Sequence, residues 1–177
     1  FSISYFTFVK RNILIIPFLC FACSGVPPQD GFINEDSLRT VSNFPIGAAM
    51  RFIPFSDDLE LQILQKHHFD SYTAGNDMKM YKIMPKEGVY DFSVVDAILE
   101  YTQENDQRLF GHNLIWHSST PPWVKEKARE DPDWLSSFMK RYISTYVGRY
   151  RGFVHGWDVV NEGLRTKGAG YREDSIW

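Results

Sequence analysis

The sequence predicts an α/β fold in which parallel strands alternate with helices around a barrel. From Phe44 onward, apolar runs of strand length alternate with longer segments of helical pattern, and this alternation favours a parallel sheet. Two of the runs, Gly111–His117 and Trp157–Glu162, end in polar residues. Because catalytic side chains of parallel α/β barrels lie at the carboxyl ends of strands, these two ends predict one active-site rim.

Four strands are predicted, each within a short apolar segment. In the last of them, Trp157, Val159 and Val160 are bulky or β-branched, which indicates a strand buried between two packed layers. The four predicted strands are 44–50, 69–76, 108–117 and 154–162.

Three helices between the strands have recognisable starts. Ser56-Asp57-Asp58 can cap the first, with acidic groups at its positive end. Residues 91–105 predict the second, in which Ser93 and Asp96 have the spacing of a capping box. Asp131-Pro132 starts the third, a long helix with an apolar stripe.

These elements amount to about the first four βα units of an eight-stranded barrel. A complete barrel takes roughly 250 residues, whereas the chain has 177. We therefore expect residues 44–177 to be the N-terminal part of a truncated barrel domain. Two open edge strands and an uncovered core would make this part poorly stable alone.

Residues 1–23 predict an export signal. Lys10-Arg11 precede the uncharged apolar run 13–22, which is too short to span a bilayer. Ala22-Cys23-Ser24 is also typical of the end of a bacterial lipoprotein signal, in which Cys23 receives the lipid. Ordinary secretion with cleavage nearby is the alternative, so we expect a secreted protein or a surface or outer-membrane lipoprotein. Residues 24–43 have the composition of a linker.

The composition is that of a globular protein with an unusual share of aromatic residues. The chain is 44% hydrophobic and 16% aromatic, and its formal charge is −3 without a basic stripe. This balance argues against nucleic acid as the main partner. The aromatic residues can fill a core, and they can also form the stacking floor of a carbohydrate cleft. We expect a monomer.

Two sequence blocks resemble the signatures of glycoside hydrolase family 10, the β-1,4-xylanases. They are GHNLIWHSSTPPW at 111–123 and WDVVNE at 157–162. Supporting blocks occur in the family's order, at 44–50, 76–79, 88–92 and 170–177. The resemblance implies a TIM (β/α)8 barrel and a retaining endo-1,4-β-xylanase that acts on xylan or xylo-oligosaccharides. It implies no metal and no organic cofactor.

The resemblance assigns roles to the polar strand ends. Glu162 corresponds to the general acid/base, which protonates the leaving glycosidic oxygen and then deprotonates water. Asn161 corresponds to the partner of the sugar 2-hydroxyl. His112 and Trp116 correspond to residues around the sugar next to the scissile bond, with His112 as a hydrogen-bond donor. Read without the resemblance, Glu162 could also cap a loop and Asn161 could be a turn residue.

Further substrate contacts are expected from Lys79 and Asn76, on the non-reducing side of the scissile bond, and His117 is expected to support the loop or the acid/base. A metal site at His112 and His117 is disfavoured because no third ligand lies at a useful spacing. Where the family usually has Glu-Asn-x-Met-Lys-Trp, this chain has Gly75 at the first position and Met80 at the last. We expect weaker or shifted sugar binding on that side.

A retaining glycosidase needs a second carboxylate, the nucleophile, about 5–5.5 Å from the acid/base. In the family this is a Glu on a late strand, and Glu173 and Asp174 lie in a predicted loop instead. We therefore expect this chain alone to be inactive. Two alternatives are a non-catalytic glycan-binding surface lipoprotein and another retaining glycosidase, such as a β-glucanase.

Overall fold

The computed structural model describes residues 36–177. The predicted export signal with Cys23, and the linker up to residue 35, lie outside the described residues. None of the helices within 36–177 is long and apolar enough to cross a membrane.

Four parallel strands form the main sheet, in the order β1-β2-β3-β5. They are β1 (Gly47–Met50), β2 (Ser71–Ala74), β3 (Arg108–Gly111) and β5 (Val154–Trp157). Each lies within one of the four predicted strand segments, and each neighbouring pair is parallel. The predicted parallel α/β arrangement is therefore confirmed for this part of the chain.

The predicted third and fourth strands are wrong in extent, because each is broken near its carboxyl end. The third resumes as β4 (Ile115–Trp116) and the fourth as β6 (Val160–Asn161), and these two short strands pair with each other in a separate parallel sheet. The peptide bond between His112 and Asn113 is cis. After these breaks, the polar ends of both strands lie in the second, two-stranded sheet and not in the main sheet.

Val159 and Val160 are not buried, in contrast to the prediction. Their side chains are 53% and 61% exposed within the described residues. The strand β6 pairs with β4 only, so it is not enclosed between two layers as a central strand of the main sheet would be.

The helices pack around the sheet, and two of the predicted starts are confirmed. Asp58 caps α3, since its carboxylate accepts a hydrogen bond from the backbone N–H of Leu61 at 2.9 Å. Asp131 caps α7 through the backbone N–H of Trp134 at 3.2 Å. The helices are α1 (Leu38–Val41), α2 (Phe52–Ser56), α3 (Leu59–His68), α4 (Met80–Ile83), α5 (Ser93–Glu104), α6 (Pro122–Glu130) and α7 (Pro132–Arg149).

The capping box predicted at Ser93 and Asp96 is wrong. Ser93 is already the first residue of α5, and Asp91 accepts from its backbone N–H at 3.0 Å and from its hydroxyl at 2.6 Å. Asp96 instead accepts hydrogen bonds from Arg149 at 2.6 Å and from the Tyr150 hydroxyl at 2.7 Å. This aspartate therefore joins α5 to the end of α7.

The end of the predicted linker is ordered. Residues 38–41 form α1, capped by Ser37, and Arg39 makes an ion pair with Asp70 at 3.1 Å. The folded part of the described chain thus begins before Phe44.

One face of α7 supplies much of the aromatic core. Phe138, Tyr142, Tyr146 and Tyr150 are buried along it, at the helical spacing that the apolar stripe predicts. Tyr146 packs against the Trp157 ring with a centroid distance of 5.0 Å. The Trp157 ring in turn lies so close to Gly111 that a Cβ there would be 2.2 Å from it, so only glycine fits at this crossing.

Candidate active site

The pairing of β4 with β6 builds the rim that the sequence predicts. Trp116 lies opposite Asn161 in the register, and Glu162 follows directly. These residues line a cleft of about 610 Å³. The two polar strand ends therefore meet, as expected from parallel strands.

Glu162 is held by one of its two carboxylate oxygens. Its Oε2 accepts a hydrogen bond from the indole N–H of Trp116 at 2.9 Å, and the His117 Nε2 atom lies 3.9 Å from the same oxygen. Within residues 36–177, Oε1 has no hydrogen-bond partner. The side chain is 52% exposed. One oxygen is thus oriented by the protein, and the other is free for a ligand.

The backbone of Glu162 is in the left-handed region, with φ at 52°. This conformation is uncommon for residues other than glycine, and it persists where surrounding contacts favour it. Arg172 provides such contacts: its Nε donates to the Glu162 carbonyl oxygen at 3.2 Å, and its backbone N–H donates to the Gly163 carbonyl oxygen at 2.9 Å. The segment between Glu162 and Arg172 therefore closes back on the Glu162 backbone.

Lys79 connects the rim to the loop that follows β2. It is only 7% exposed, and its Nζ donates to Asn76 Oδ1 at 2.8 Å. The same nitrogen lies 4.4 Å from the centroid of the Trp116 ring, which is a cation–π distance. Burial lowers the pKa of Lys79, and the negative charge of Glu162 acts in the opposite direction. Asn76, Lys79, Trp116 and Glu162 therefore form one connected group.

His112 is paired with Asp158. Its Nδ1 lies 2.8 Å from Asp158 Oδ2, and its Nε2 lies 3.5 Å from the Nδ2 atom of the buried Asn113. Because a carboxylate accepts, the proton of a neutral His112 is on Nδ1, which leaves Nε2 as an acceptor. The expected hydrogen bond from His112 to a sugar hydroxyl stays a prediction.

His117 and Asn161 both lie in the cleft lining. The His117 Nε2 atom is 3.0 Å from the Ser118 hydroxyl oxygen, and its Nδ1 is buried without a partner in the described part of the chain. Asn161 is half-buried, and its side-chain amide makes no hydrogen bond within 36–177. The Asn161 amide is therefore available to a ligand.

The structure brings together Asn76, Lys79, Trp116, His117, Asn161 and Glu162, all of which the sequence predicts as site residues. The sequence-based reading missed Asp158 and Arg172. Strand alternation directed Asp158 away from Glu162, and nothing local marked it as the partner of a histidine 46 positions earlier. Trp123, at the end of the block 111–123, packs against Trp134 and Phe138 in the helix pair α6–α7.

Among residues 36–177 there is no group of three or more His, Cys, Asp or Glu side chains that could hold a metal ion. In the same range, Glu162 is the one carboxylate among the cleft-lining residues. The cleft lining offers a single carboxylate with a free oxygen, the Asn161 amide and the His117 imidazole, which suits binding and proton transfer.

A parallel sheet whose carboxyl edge presents an Asn-Glu pair beside a tryptophan is the arrangement expected of a barrel glycoside hydrolase. The family model described as "Glycosyl hydrolase family 10" matches residues 37–177. The chain belongs to this family.

Its relatives are xylanases from several bacteria. Endo-1,4-beta-xylanase A of Caldicellulosiruptor sp. (strain Rt8B.4) is 35% identical over 86% of this chain and 24% of its own length. Beta-1,4-xylanase of Dictyoglomus thermophilum is 34% identical over 86% of this chain and 42% of its own length. The chain thus spans less than half the length of these relatives.

The solved neighbours are TIM-barrel xylanases of the same family. Native xylanase10C from Cellvibrio japonicus superposes with a TM-score of 0.73 at 34% identity, over 81% of this chain and 32% of that one. A mutant of that xylanase has been solved in complex with xylopentaose, with the same TM-score of 0.73. The predicted fold class is therefore confirmed, with residues 36–177 forming part of such a barrel.

Proposed function

We propose that this chain supplies the acid/base half of a retaining endo-1,4-β-xylanase active site. The observation that carries the proposal is the Trp116–Glu162 hydrogen bond, which orients Oε2 and leaves Oε1 free at the carboxyl end of a barrel strand. The family membership and the xylopentaose complex of a relative support xylan as the substrate.

In the proposed mechanism, Glu162 first acts as an acid. The proton on Oε1 passes to the glycosidic oxygen as the bond to the anomeric carbon breaks, while a second carboxylate attacks that carbon. Glu162 then removes a proton from the incoming water, which displaces the nucleophile with net retention. Asn161 binds the 2-hydroxyl of the sugar undergoing cleavage, and Asn76 and Lys79 bind sugars on its non-reducing side.

The second carboxylate has no candidate in the described cleft. We propose that it belongs to a segment of the enzyme outside residues 36–177, on a late strand of the barrel. Residues 36–177 alone are then expected to bind xylo-oligosaccharides and to hydrolyse none.

The test is an assay of reducing ends with the full-length gene product that carries this chain. We expect release from β-1,4-xylan, little from cellulose, and loss of release in Glu162→Gln. Hydrolysis of cellulose in preference to xylan would contradict the xylanase proposal in favour of a β-glucanase. Full xylan activity in Glu162→Gln would contradict the role of Glu162.

A second candidate is a glycan-binding protein that hydrolyses nothing. It is favoured by one observation, the single carboxylate in the lining of the described cleft. Saturable binding of xylohexaose by the full-length gene product, without any shorter product after long incubation, would select it.

We also propose that the protein is exported, with Cys23 as the site of lipidation. The proposal is supported by Lys10-Arg11, the uncharged run after them and Ala22-Cys23-Ser24. Mass spectrometry of the mature protein is expected to find an acylated N-terminal Cys23, and a Cys23→Ala variant is expected in the soluble fraction. An unmodified N-terminus at another residue would contradict lipidation.

A further inference from the structure

Arg51 lies beside Gly75 at the carboxyl edge of the sheet. The parallel register pairs Met50 with Ala74, so Arg51 and Gly75 are the next residues on the two strands. The Gly75 backbone N–H donates to the Met50 carbonyl oxygen at 2.7 Å, which holds the two chains together past the strand ends. A Cβ atom on Gly75 would lie 3.6 Å from Arg51 Cγ. The Arg51 side chain therefore leans over the position where a longer residue 75 would be.

The guanidinium of Arg51 is exposed and has no partner within residues 36–177, where its side chain makes neither a hydrogen bond nor an ion pair. Asp77, a carboxylate of the loop that follows Gly75, accepts a hydrogen bond from the Phe52 backbone N–H at 2.8 Å. Arg51 thus presents an unpaired positive charge to solvent.

This charge lies on the same rim as Glu162. Gly75 directly precedes Asn76, which Lys79 binds, and Lys79 contacts the Trp116 ring that donates to Glu162. Along the edge of the main sheet, β1 lies on the far side of β2 from the Glu162 strand. Arg51 therefore lies on the side of Asn76 that faces away from Glu162 along this edge.

The glycine at position 75 exposes this charge. The family pattern Glu-Asn-x-Met-Lys-Trp has Glu at this position, and the Cβ of such a Glu would lie 3.6 Å from Arg51 Cγ, which brings a carboxylate into the neighbourhood of this side chain. With glycine at position 75, this residue contributes no carboxylate to pair with Arg51. A guanidinium without a counterion, next to open space, suits a bidentate hydrogen bond to a carboxylate.

We propose that Arg51 binds the carboxylate of a uronic acid carried by the xylan chain, at the position beyond Asn76. This inference rests on the proposed binding of xylan in the cleft. Because of Arg51 and Gly75, the protein is expected to bind acidic xylan more tightly than neutral xylan.

The test is calorimetric binding of two matched xylo-oligosaccharides, one neutral and one with a single uronic acid toward its non-reducing end. All proteins carry Glu162→Gln in the full chain to prevent any hydrolysis. We expect the acidic oligosaccharide to bind about tenfold more tightly, since a hydrogen bond to a charged group has that value, and the preference to shrink at high salt.

Three variants separate the proposed role from general damage to the cleft. Arg51→Gln is expected to abolish the preference while binding of the neutral oligosaccharide stays unchanged. Gly75→Glu is expected to abolish it as well by pairing with Arg51, whereas Gly75→Gln, of the same size, retains it. Both Gly75 variants share the same crowding, because their Cβ would lie 3.3 Å from the Met50 carbonyl oxygen.

Equal affinity for the two oligosaccharides would overturn the inference and leave xylan binding intact. A preference that survives Arg51→Gln would also overturn it. Failure to bind either oligosaccharide would overturn the proposed function, and this inference with it.

Discussion

The indole N–H of Trp116 donates a hydrogen bond to Oε2 of Glu162 at 2.9 Å, across 46 positions of sequence. The pairing of β4 with β6 makes this contact possible, because it sets Trp116 opposite Asn161 and brings the next residue within reach of the indole N–H. The same indole ring stacks on the Lys79 ammonium group at 4.4 Å. Trp116 therefore orients the proposed acid/base and also holds a buried cation near it.

Replacing Trp116 with Phe tests whether the Trp116 N–H orients the Glu162 carboxylate. The variant keeps an aromatic ring for Lys79 but lacks the donor to Glu162, so we expect kcat/KM on xylohexaose to fall by about 10- to 100-fold. Steady-state kinetics of the full-length gene product measure it. Trp134→Phe, in which the tryptophan stacks on Phe138 away from the cleft, is the matched control. Equal losses in the two variants would contradict the orienting role.

The pH dependence of stability tests the burial of Lys79. Burial lowers the pKa of Lys79 in the folded protein below its ordinary value, so the unfolded chain binds more protons at pH values between the folded and the unfolded pKa. The free energy of unfolding therefore rises with pH through that window. We expect Lys79→Met to gain less stability than the parent as the pH rises toward the ordinary pKa of lysine, measured by urea denaturation.

Lys140→Met is the control for this measurement, because Lys140 is exposed on α7. The free energy of unfolding of Lys140→Met is expected to change with pH as that of the parent does. If Lys79→Met and the parent have the same slope, the desolvation of Lys79 is contradicted.

Tyr142 of α7 and Tyr150, which directly follows this helix, are expected to respond in opposite ways to the same substitution. The Tyr142 hydroxyl is buried without a partner in the described part, whereas the Tyr150 hydroxyl donates to Asp96 at 2.7 Å. We expect Tyr142→Phe to be neutral or stabilising and Tyr150→Phe to cost about 1–3 kcal/mol of unfolding free energy. Thermal and urea unfolding measure both.

The free energy of unfolding at alkaline pH provides a second measurement on Tyr142. Burial raises the pKa of Tyr142 well above its usual value, so its neutral form favours the folded state and this contribution is lost as the pH rises above about 10. Tyr142→Phe is expected to lose less stability there than the parent. A destabilisation as large as that of Tyr150→Phe would contradict the description of the Tyr142 hydroxyl as unpaired.

Much of the fold is encoded in patterns that act locally. Strand-length apolar runs locate β1, β2, β3 and β5, and Asp58 and Asp131 cap their helices at the expected residues. The sequence analysis predicts no helix over α6, although Pro122 begins this helix and proline is common in the first turn of a helix.

The unpredicted features depend on contacts between distant segments. The break after β3 and the second, two-stranded sheet leave no periodic signal, since the residues on either side remain apolar. His112 meets Asp158, and Arg51 meets Gly75, only through the parallel register of neighbouring strands. The free oxygen of Glu162 likewise follows from three-dimensional contacts and not from the motif alone.

The measurement that tests the central claim most directly compares two aryl xylosides as substrates for Glu162→Ala in the full-length gene product. A xyloside with a poor leaving group needs proton transfer from Glu162, so we expect its hydrolysis to fall by about 10²–10⁴-fold. A dinitrophenyl xyloside needs no proton for departure, so its first step is expected to be nearly unaffected. Glu173→Ala, an exposed carboxylate on the following loop, is expected to match the parent on both. Equal losses on the two xylosides, or no loss on either, would contradict Glu162 as the acid/base.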